Sequence, residues 1–428
     1  MATAGRRRID RAGPPAKVRA QGSFGVQTWF DDLDAAGRRT FWACFGGYAL
    51  DALDVQIYTL IIPVLIQVWG LTKGQAGLLA TVTLLLSAVG GWAAGLMADR
   101  IGRVRTLQIT IAWFALFTFL SGLTQNYQEL LITRGLQGLG FGGEWAAGSV
   151  LIGEVVAARH RGKAVGLVQS AWAVGWGAAV VLATVLLSVL PKDYGWRALF
   201  MIGLLPGFAV FLVRRFVPEP EIHRRVETRA PWFAIFRPGL LGVTLRGSLI
   251  AIGAQGGYYA ITTWLPTLLS TERHLSAVGA GGYLAVVIAG SFCGYLSSAW
   301  LYVAVGRRRT FLIFAVGSLA LVLAYTRLPL SNAMALPLGF PLGFFASGIF
   351  SGMGPLYTEL FPTEVRGSGQ GFCYNSGRGV AALFPAVIGW VSLHAPLGET
   401  IGLFAGGAYG LVIVAALLLP ETRGRALG

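Results

Sequence analysis

Twelve long apolar stretches, each bounded by charged or turn-forming residues, constrain the fold of this chain more tightly than any other feature. They run roughly over 41–69, 75–97, 106–124, 128–156, 163–190 and 196–216, then over 241–270, 277–303, 308–327, 331–358, 366–394 and 397–419. A helix needs about 20 apolar residues to cross a bilayer. Within lipid, only helices and closed barrels satisfy their own backbone groups. The pattern predicts an all-α membrane protein of twelve transmembrane helices. Composition agrees: 55% of the 428 residues are hydrophobic and 12% charged, whereas a soluble domain keeps about a quarter of its residues charged.

The net charge of +15 would suggest nucleic acid if the basic residues were spread evenly. They are not. Arg100, Arg103 and Arg105 follow the second stretch; Arg159, Arg161 and Lys163 follow the fourth; Arg214, Arg215, Arg224, Arg225, Arg229 and Arg237 follow the sixth. The series continues with Arg307, Arg308 and Arg309, then Arg366, and ends with Arg423 and Arg425. The alternate loops hold scattered residues such as Lys73, Lys192, Arg273 and Arg327. Lysine and arginine gather on the cytoplasmic side, so both termini are expected in the cytoplasm and no nucleic-acid partner is expected. Residues 1–40 form a basic tail (Arg6, Arg7, Arg8, Arg11, Lys17, Arg19) without the short apolar core of a secretory leader. Cys44, Cys293 and Cys373 sit in apolar context without CxxC spacing and are expected to pack, not to bridge or bind metal.

The two halves repeat. "GEVVAARHRGKAVG" (153–166) and "TELFPTEVRGSGQG" (358–371) share Glu, Arg-Gly and Gly at equal spacing, offset by 205 residues. "IGRVRT" and "VGRRRT" follow the second and eighth stretches at an offset of 204, and "VPEP" near 217 answers "LPET" near 419. A tandem duplication follows, with six-helix halves at 41–217 and 241–419 joined by a cytoplasmic linker at 218–240 and closed by a tail at 420–428.

The loop "GLMADRIGRVR" (95–105) matches the signature G-x-x-x-D-R-x-G-R-x-R, and the fourth stretch adds "RGLQGLGFGGEW" (134–145). From residue 35 onward the chain resembles the major facilitator superfamily of secondary transporters. "LDALD" in the first stretch, "GGEW" in the fourth, "GWRALF" (195–200) and "GFCYNSGR" (371–378) resemble the metabolite:proton symporters of carboxylates, of the sialate and lactate type. Aromatic-acid symporters share the paired aspartates. The resemblance implies two pseudo-symmetric six-helix bundles in a bacterial-type cytoplasmic (inner) membrane. It also implies a proton-coupled symporter, acting as a monomer without cofactor, that imports a small organic acid such as a monocarboxylate or sialate. An aromatic-acid carrier is the nearest alternative, and a sugar or drug transporter of the same fold a more distant one. The second half departs from the signature, with Val303 where its aspartate would stand, so an asymmetric cytoplasmic latch is expected.

Charges within apolar stretches mark candidate function. Asp51 and Asp54 share a helical face with Tyr58, and two close carboxylates suit proton binding and release. Arg134, Gln137 and Glu144 lie on neighbouring faces of the fourth stretch, making Arg134 and Glu144 further proton-coupling candidates. Arg378, with Tyr374 and Asn375 nearby, suits bidentate capture of a carboxylate. Gln255, Tyr258 and Tyr259 reach the middle of the seventh stretch, where Tyr258 answers Asp54 by the repeat, and both are expected to face one central cavity. Asp99, Arg100, Arg103, Glu154, Arg161, Glu359 and Arg366 are expected to form the ion pairs of a cytoplasmic gate. The four histidines (160, 223, 274, 394) do not cluster, and neither a nucleophile constellation nor a phosphate-cradling loop stands out, so no enzyme is expected.

Overall fold

The structure, a computed structural model, describes residues 30, 33, 35–155, 161–204 and 232–422; side chains at 36, 96, 98–100, 103, 143–155, 161–163, 232 and 363 lie outside that description. The basic tail and most of the linker therefore fall outside it, as do the last six residues. Among the described residues the chain is helical throughout. In order come α1 (Ala35–Trp69), α2 (Lys73–Ile101), α3 (Arg103–Ser121), α4 (Tyr127–Val155), α5 (Arg161–Val189) and α6 (Lys192–Ile202). A 3-10 turn over Trp232–Phe236 leads to α7 (Pro238–Thr271), α8 (Ala277–Ala304), α9 (Arg307–Arg327) and α10 (Asn332–Leu360). The eleventh stretch is divided into α11 (Arg366–Ala381) and α12 (Leu383–Val391), and α13 (Leu397–Leu418) closes the order. Helix thus begins at Ala35 and Pro238, inside the segments expected as tail and linker.

Eight of these helices are long and apolar enough to cross a membrane: α1, α2, α3, α5, α8, α9, α10 and α13. Large apolar side chains face outward on several of them, Val181, Trp92 and Trp300 among them. Where the solvent is hydrocarbon, no force drives such groups inward. The polar content of α7 and the break between α11 and α12 set those stretches apart from the eight. Among the free cysteines Cys44 and Cys373 are buried, while Cys293 is exposed on α8 instead of packing inside.

Small residues hold the bundle together, and they do so twice. A side chain at Gly90 would collide with the Leu139 carbonyl and one at Gly138 with the Thr83 carbonyl, so α2 and α4 touch backbone to backbone. In the second half Gly294 meets Phe344 and Gly343 meets Val287 between α8 and α10. These are the same pairs displaced by 204 or 205 residues. At the next position Gly142 lies on the Ser87 carbonyl, whereas its counterpart Ser347 donates a hydroxyl hydrogen bond to Ser291 at 2.9 Å. The loops repeat as well. Gly102 and Gly306 open α3 and α9 with φ of 98° and 105°, a region open to glycine and strained for other residues. Thr106 and Thr310 each bond back to that glycine carbonyl at 2.8 Å.

Two seams join the flanks of the halves, and α1 also touches α7. In one, α5 lies against α8, with Gly166 on Ala299 near one end and Gly281 on Thr184 near the other. In the other, α2 lies against α11 and α12. There Gly77 abuts the Pro385 carbonyl, Gly389 abuts the Lys73 carbonyl, and a β-carbon on Gly74 would be 3.8 Å from the Trp390 backbone. This second seam closes the Lys73–Trp390 end of the molecule. Helix α2 starts there with a capping box, Thr72 accepting from the Gln75 amide at 3.1 Å while the Gln75 side chain accepts from the Thr72 amide at 2.9 Å. In "GWRALF", Arg197 donates to the carbonyls of Gly122 and Thr124 at 3.0 and 2.5 Å, satisfying the end of α3.

Candidate functional site

Arg378 lies in the last turn of α11 and is only 3% exposed. Its guanidinium is 5.1 Å from the ring centres of both Phe141 on α4 and Tyr374 on α11. The Tyr259 and Tyr48 side chains are also within electrostatic range. Among the described residues its Nε and Nη1 groups find no hydrogen-bond partner. A guanidinium cannot lose its charge, and the Tyr374 and Tyr259 hydroxyls that bond it offset only part of the cost of burying that charge. The flanking aromatic faces return about 0.5–2 kcal/mol each. The guanidinium is thus held in place by rings from both halves, with part of its hydrogen-bonding capacity unused by the described residues.

The surrounding residues are tied down by the protein itself. Gln255 donates to the Tyr374 carbonyl at 2.9 Å and accepts from the Tyr259 hydroxyl at 3.2 Å, so its amide fixes both tyrosines beside Arg378. Asn375 donates to the Gly371 carbonyl at 3.0 Å, and its Oδ1 lies against Gly91 of α2. Tyr258 accepts a hydrogen bond from Trp172 Nε1 at 2.7 Å, linking α7 to α5 across the halves. Trp172 in turn is 5.3 Å from Tyr48 and 6.4 Å from Phe141, and Tyr258 is 5.2 Å from Phe350. Aromatic rings from α1, α4, α5, α7, α10 and α11 thus gather in this region.

A second polar cluster lies within the first half. Asp54 on α1 is 1% exposed and accepts a hydrogen bond from Gln137 on α4. Its other oxygen approaches Gly203, beyond the end of α6. Arg134, one turn before Gln137 and 2% exposed, interacts electrostatically with Asp54. It also stacks 4.7 Å from Tyr58 and 5.7 Å from Phe200, with Nε and Nη1 lacking partners among the described residues. Tyr58 donates to the Ala76 carbonyl at 2.5 Å. Asp51 is buried one turn before Asp54. The repeat predicts that Asp54 and Tyr258 face one cavity, but the structure separates them. Tyr258 reaches Trp172 at the interface, whereas Asp54 turns toward α4 and α6 inside its own bundle. The Glu144 side chain lies outside the described residues.

At the opposite end from Lys73, Arg307 grips Glu359 with Nε at 2.9 Å and Nη2 at 2.5 Å, and Thr422 donates to the same carboxylate at 2.6 Å. Glu421 accepts from the backbone amides of Arg307 and Arg308 at 3.0 and 3.2 Å, capping α9. Arg366 donates to the Thr358 carbonyl at 2.9 Å. The side chains of Asp99, Arg100, Arg103, Glu154 and Arg161 lie outside the described residues. Sequence reasoning did not single out Arg307 as the partner of Glu359, Glu421 as the cap of α9, or Phe141, Trp172 and Tyr48 as the rings near Arg378 and Tyr258. The "VGRRRT" and "LPET" repeats held the first pair in view, while an aromatic in an apolar helix carries no signal of its own.

Residues 44–385 match the model of the Major Facilitator Superfamily. The chain belongs to that superfamily. It is an integral, multi-pass membrane protein. It is 43% identical over 406 residues to a probable 4-methylmuconolactone transporter of Cupriavidus pinatubonensis, covering 93% of this chain and 94% of that protein. It is 30% identical over 405 residues to a cis,cis-muconate transport protein of Acinetobacter baylyi, covering 89% and 94%. Among solved structures, a bacterial homologue of the human lysosomal transporter Spinster, inward-facing and unoccupied, superposes with a TM-score of 0.65 at 16% identity, covering 90% of this chain and 95% of that one. That likeness shows the fold.

Proposed function

We propose that this chain is a proton-coupled symporter that imports a small, flat, unsaturated organic acid across a bacterial-type cytoplasmic membrane, with twelve spans and both termini in the cytoplasm. The observation that carries the reading is Arg378: a buried guanidinium with two donors unsatisfied among the described residues, set between aromatic rings at the interface of the halves. A substrate carboxylate supplies the missing acceptors, and its conjugated body packs on the rings. The names of the muconolactone and muconate relatives support this class over a sialate. An aromatic acid is the second reading, favoured by the same lining.

In this reading Asp54, Asp51 and Glu144 are the proton-carrying candidates, with Arg134 a fixed positive charge beside Asp54. Proton entry compensates the anion's charge, which otherwise moves against a potential of about 2.3 kcal/mol per charge per 100 mV. Glu359 and Arg366, with Asp99, Arg100, Arg103, Glu154 and Arg161, form the cytoplasmic gate as the halves rock. The protein works as a monomer without cofactor. Proteoliposome uptake of labelled cis,cis-muconate, lactate, sialate and benzoate under an imposed pH gradient tests this. The expected result is uphill uptake of muconate or benzoate that a protonophore collapses; uptake of none of the acids, or uptake indifferent to the gradient, overturns it.

A further inference from the structure

The break in the eleventh span has an unusual occupant. Pro385 lacks an amide hydrogen and so removes one rung of the ladder. The next rung would run from the Ala386 amide to the Ala382 carbonyl. Instead, the hydroxyl of Thr81 on α2 occupies that rung. It donates to the Ala382 carbonyl at 2.6 Å and accepts from the Ala386 amide at 3.1 Å. A side chain inserted into the ladder kinks a helix, and α11 and α12 separate at Ala382. Thr81 is 4% exposed. It lies one turn beyond Gly77, on the face of α2 that abuts Pro385.

We infer that Thr81 is a positioning residue whose hydroxyl, inserted between Ala382 and Ala386, couples closure of the Lys73–Trp390 end to the bend in the span that carries Arg378. When the halves part at this end, Thr81 withdraws with α2, and the Ala382 carbonyl and Ala386 amide pair with each other. The bend then relaxes one turn after Arg378, whose carbonyl accepts from the Ala382 amide at 2.8 Å. Opening the gate and reorienting the anion site are thus one event. The inference rests on the two-state motion proposed above. Its test needs no substrate, so a wrong substrate class leaves it standing.

The test is a spin-label distance in full-length protein reconstituted in nanodiscs. Labels go at Leu123→Cys and Leu328→Cys, both exposed and both at this end in opposite halves, with the exposed Cys293 replaced by Ser. Thr81→Val keeps the shape and removes the hydroxyl, whereas Thr81→Ser keeps the hydroxyl. Two hydrogen bonds lost only from the closed state raise the open-to-closed ratio about tenfold in Thr81→Val, with Thr81→Ser within about twofold of the parent. Hydrogen exchange in residues 383–390 rises in Thr81→Val alone. If Thr81 only packs, the order reverses, with Thr81→Ser perturbed and Thr81→Val like the parent; that result, or two unchanged variants, overturns the inference. Thr81→Ala replaces the valine variant if the latter is not monodisperse.

Discussion

Replacing Arg378 by Met separates what the residue does for binding from what it does for folding. The guanidinium is buried, with Nε and Nη1 unsatisfied by the described residues. Exchanging buried charge for an apolar group of similar volume stabilises by about 1–4 kcal/mol. Loss of two ring contacts at about 0.5–2 kcal/mol each offsets part of that gain. The gain and the loss are each about 1–4 kcal/mol and nearly cancel, so the net expectation is an Arg378→Met protein of about the parent's stability. Binding should move the other way. Two charge-assisted hydrogen bonds to a carboxylate contribute about 1.5–3 kcal/mol each, so their loss weakens affinity by about two orders of magnitude or more at 1.4 kcal/mol per tenfold. The assay is thermal unfolding in detergent with and without cis,cis-muconate, paired with proteoliposome uptake. The parent should be stabilised by the ligand and Arg378→Met should not. A variant that unfolds well below the parent would show that Arg378 is a structural pin, and retained uptake would remove it from the substrate site.

Asp54→Asn is expected to lose uphill uptake while keeping substrate counterflow, since exchange needs the site but not the proton; normal accumulation would take Asp54 out of coupling. Gly90→Ala should prevent α2 and α4 from closing and leave little monodisperse protein on size exclusion, whereas Gly407→Ala, with open space around it, should behave as the parent. Glu421→Gln weakens the cap on α9 and should lower stability by about 0.5–1 kcal/mol, read as a fall in unfolding temperature, with no change if the carboxylate is merely solvated.

Much of the fold is legible in the sequence because membrane helices announce themselves by length and apolarity. The 204–205-residue repeat locates equivalent contacts before any coordinates do: Gly90 with Leu139 and Gly294 with Phe344 are one contact written twice. The reading falls short where direction matters. Asp54 and Tyr258 are equivalent by register, yet α1 and α7 carry different neighbours, and Gln137 and Arg134 draw the aspartate inward. Gln255 reads as a substrate ligand by its polarity alone, but its two ends are already used by Tyr374 and Tyr259. The rung taken by Thr81 is invisible to sequence, since a threonine in an apolar helix ordinarily bonds its own preceding turn.

The seam between α5 and α8, touching near both of its ends, limits how the halves can travel. Surfaces joined along a whole edge cannot draw apart like jaws; they can only roll, with that edge as the fulcrum. Displacement then grows with distance from it, and the α2–α12 seam, which shares no helix with the first, sits on the lever arm. A small rotation at glycine-lined α5 becomes a large excursion at Gly77 and Pro385. A cross-link joining α5 to α8 should leave the machine turning, whereas one joining α2 to α12 should stall it.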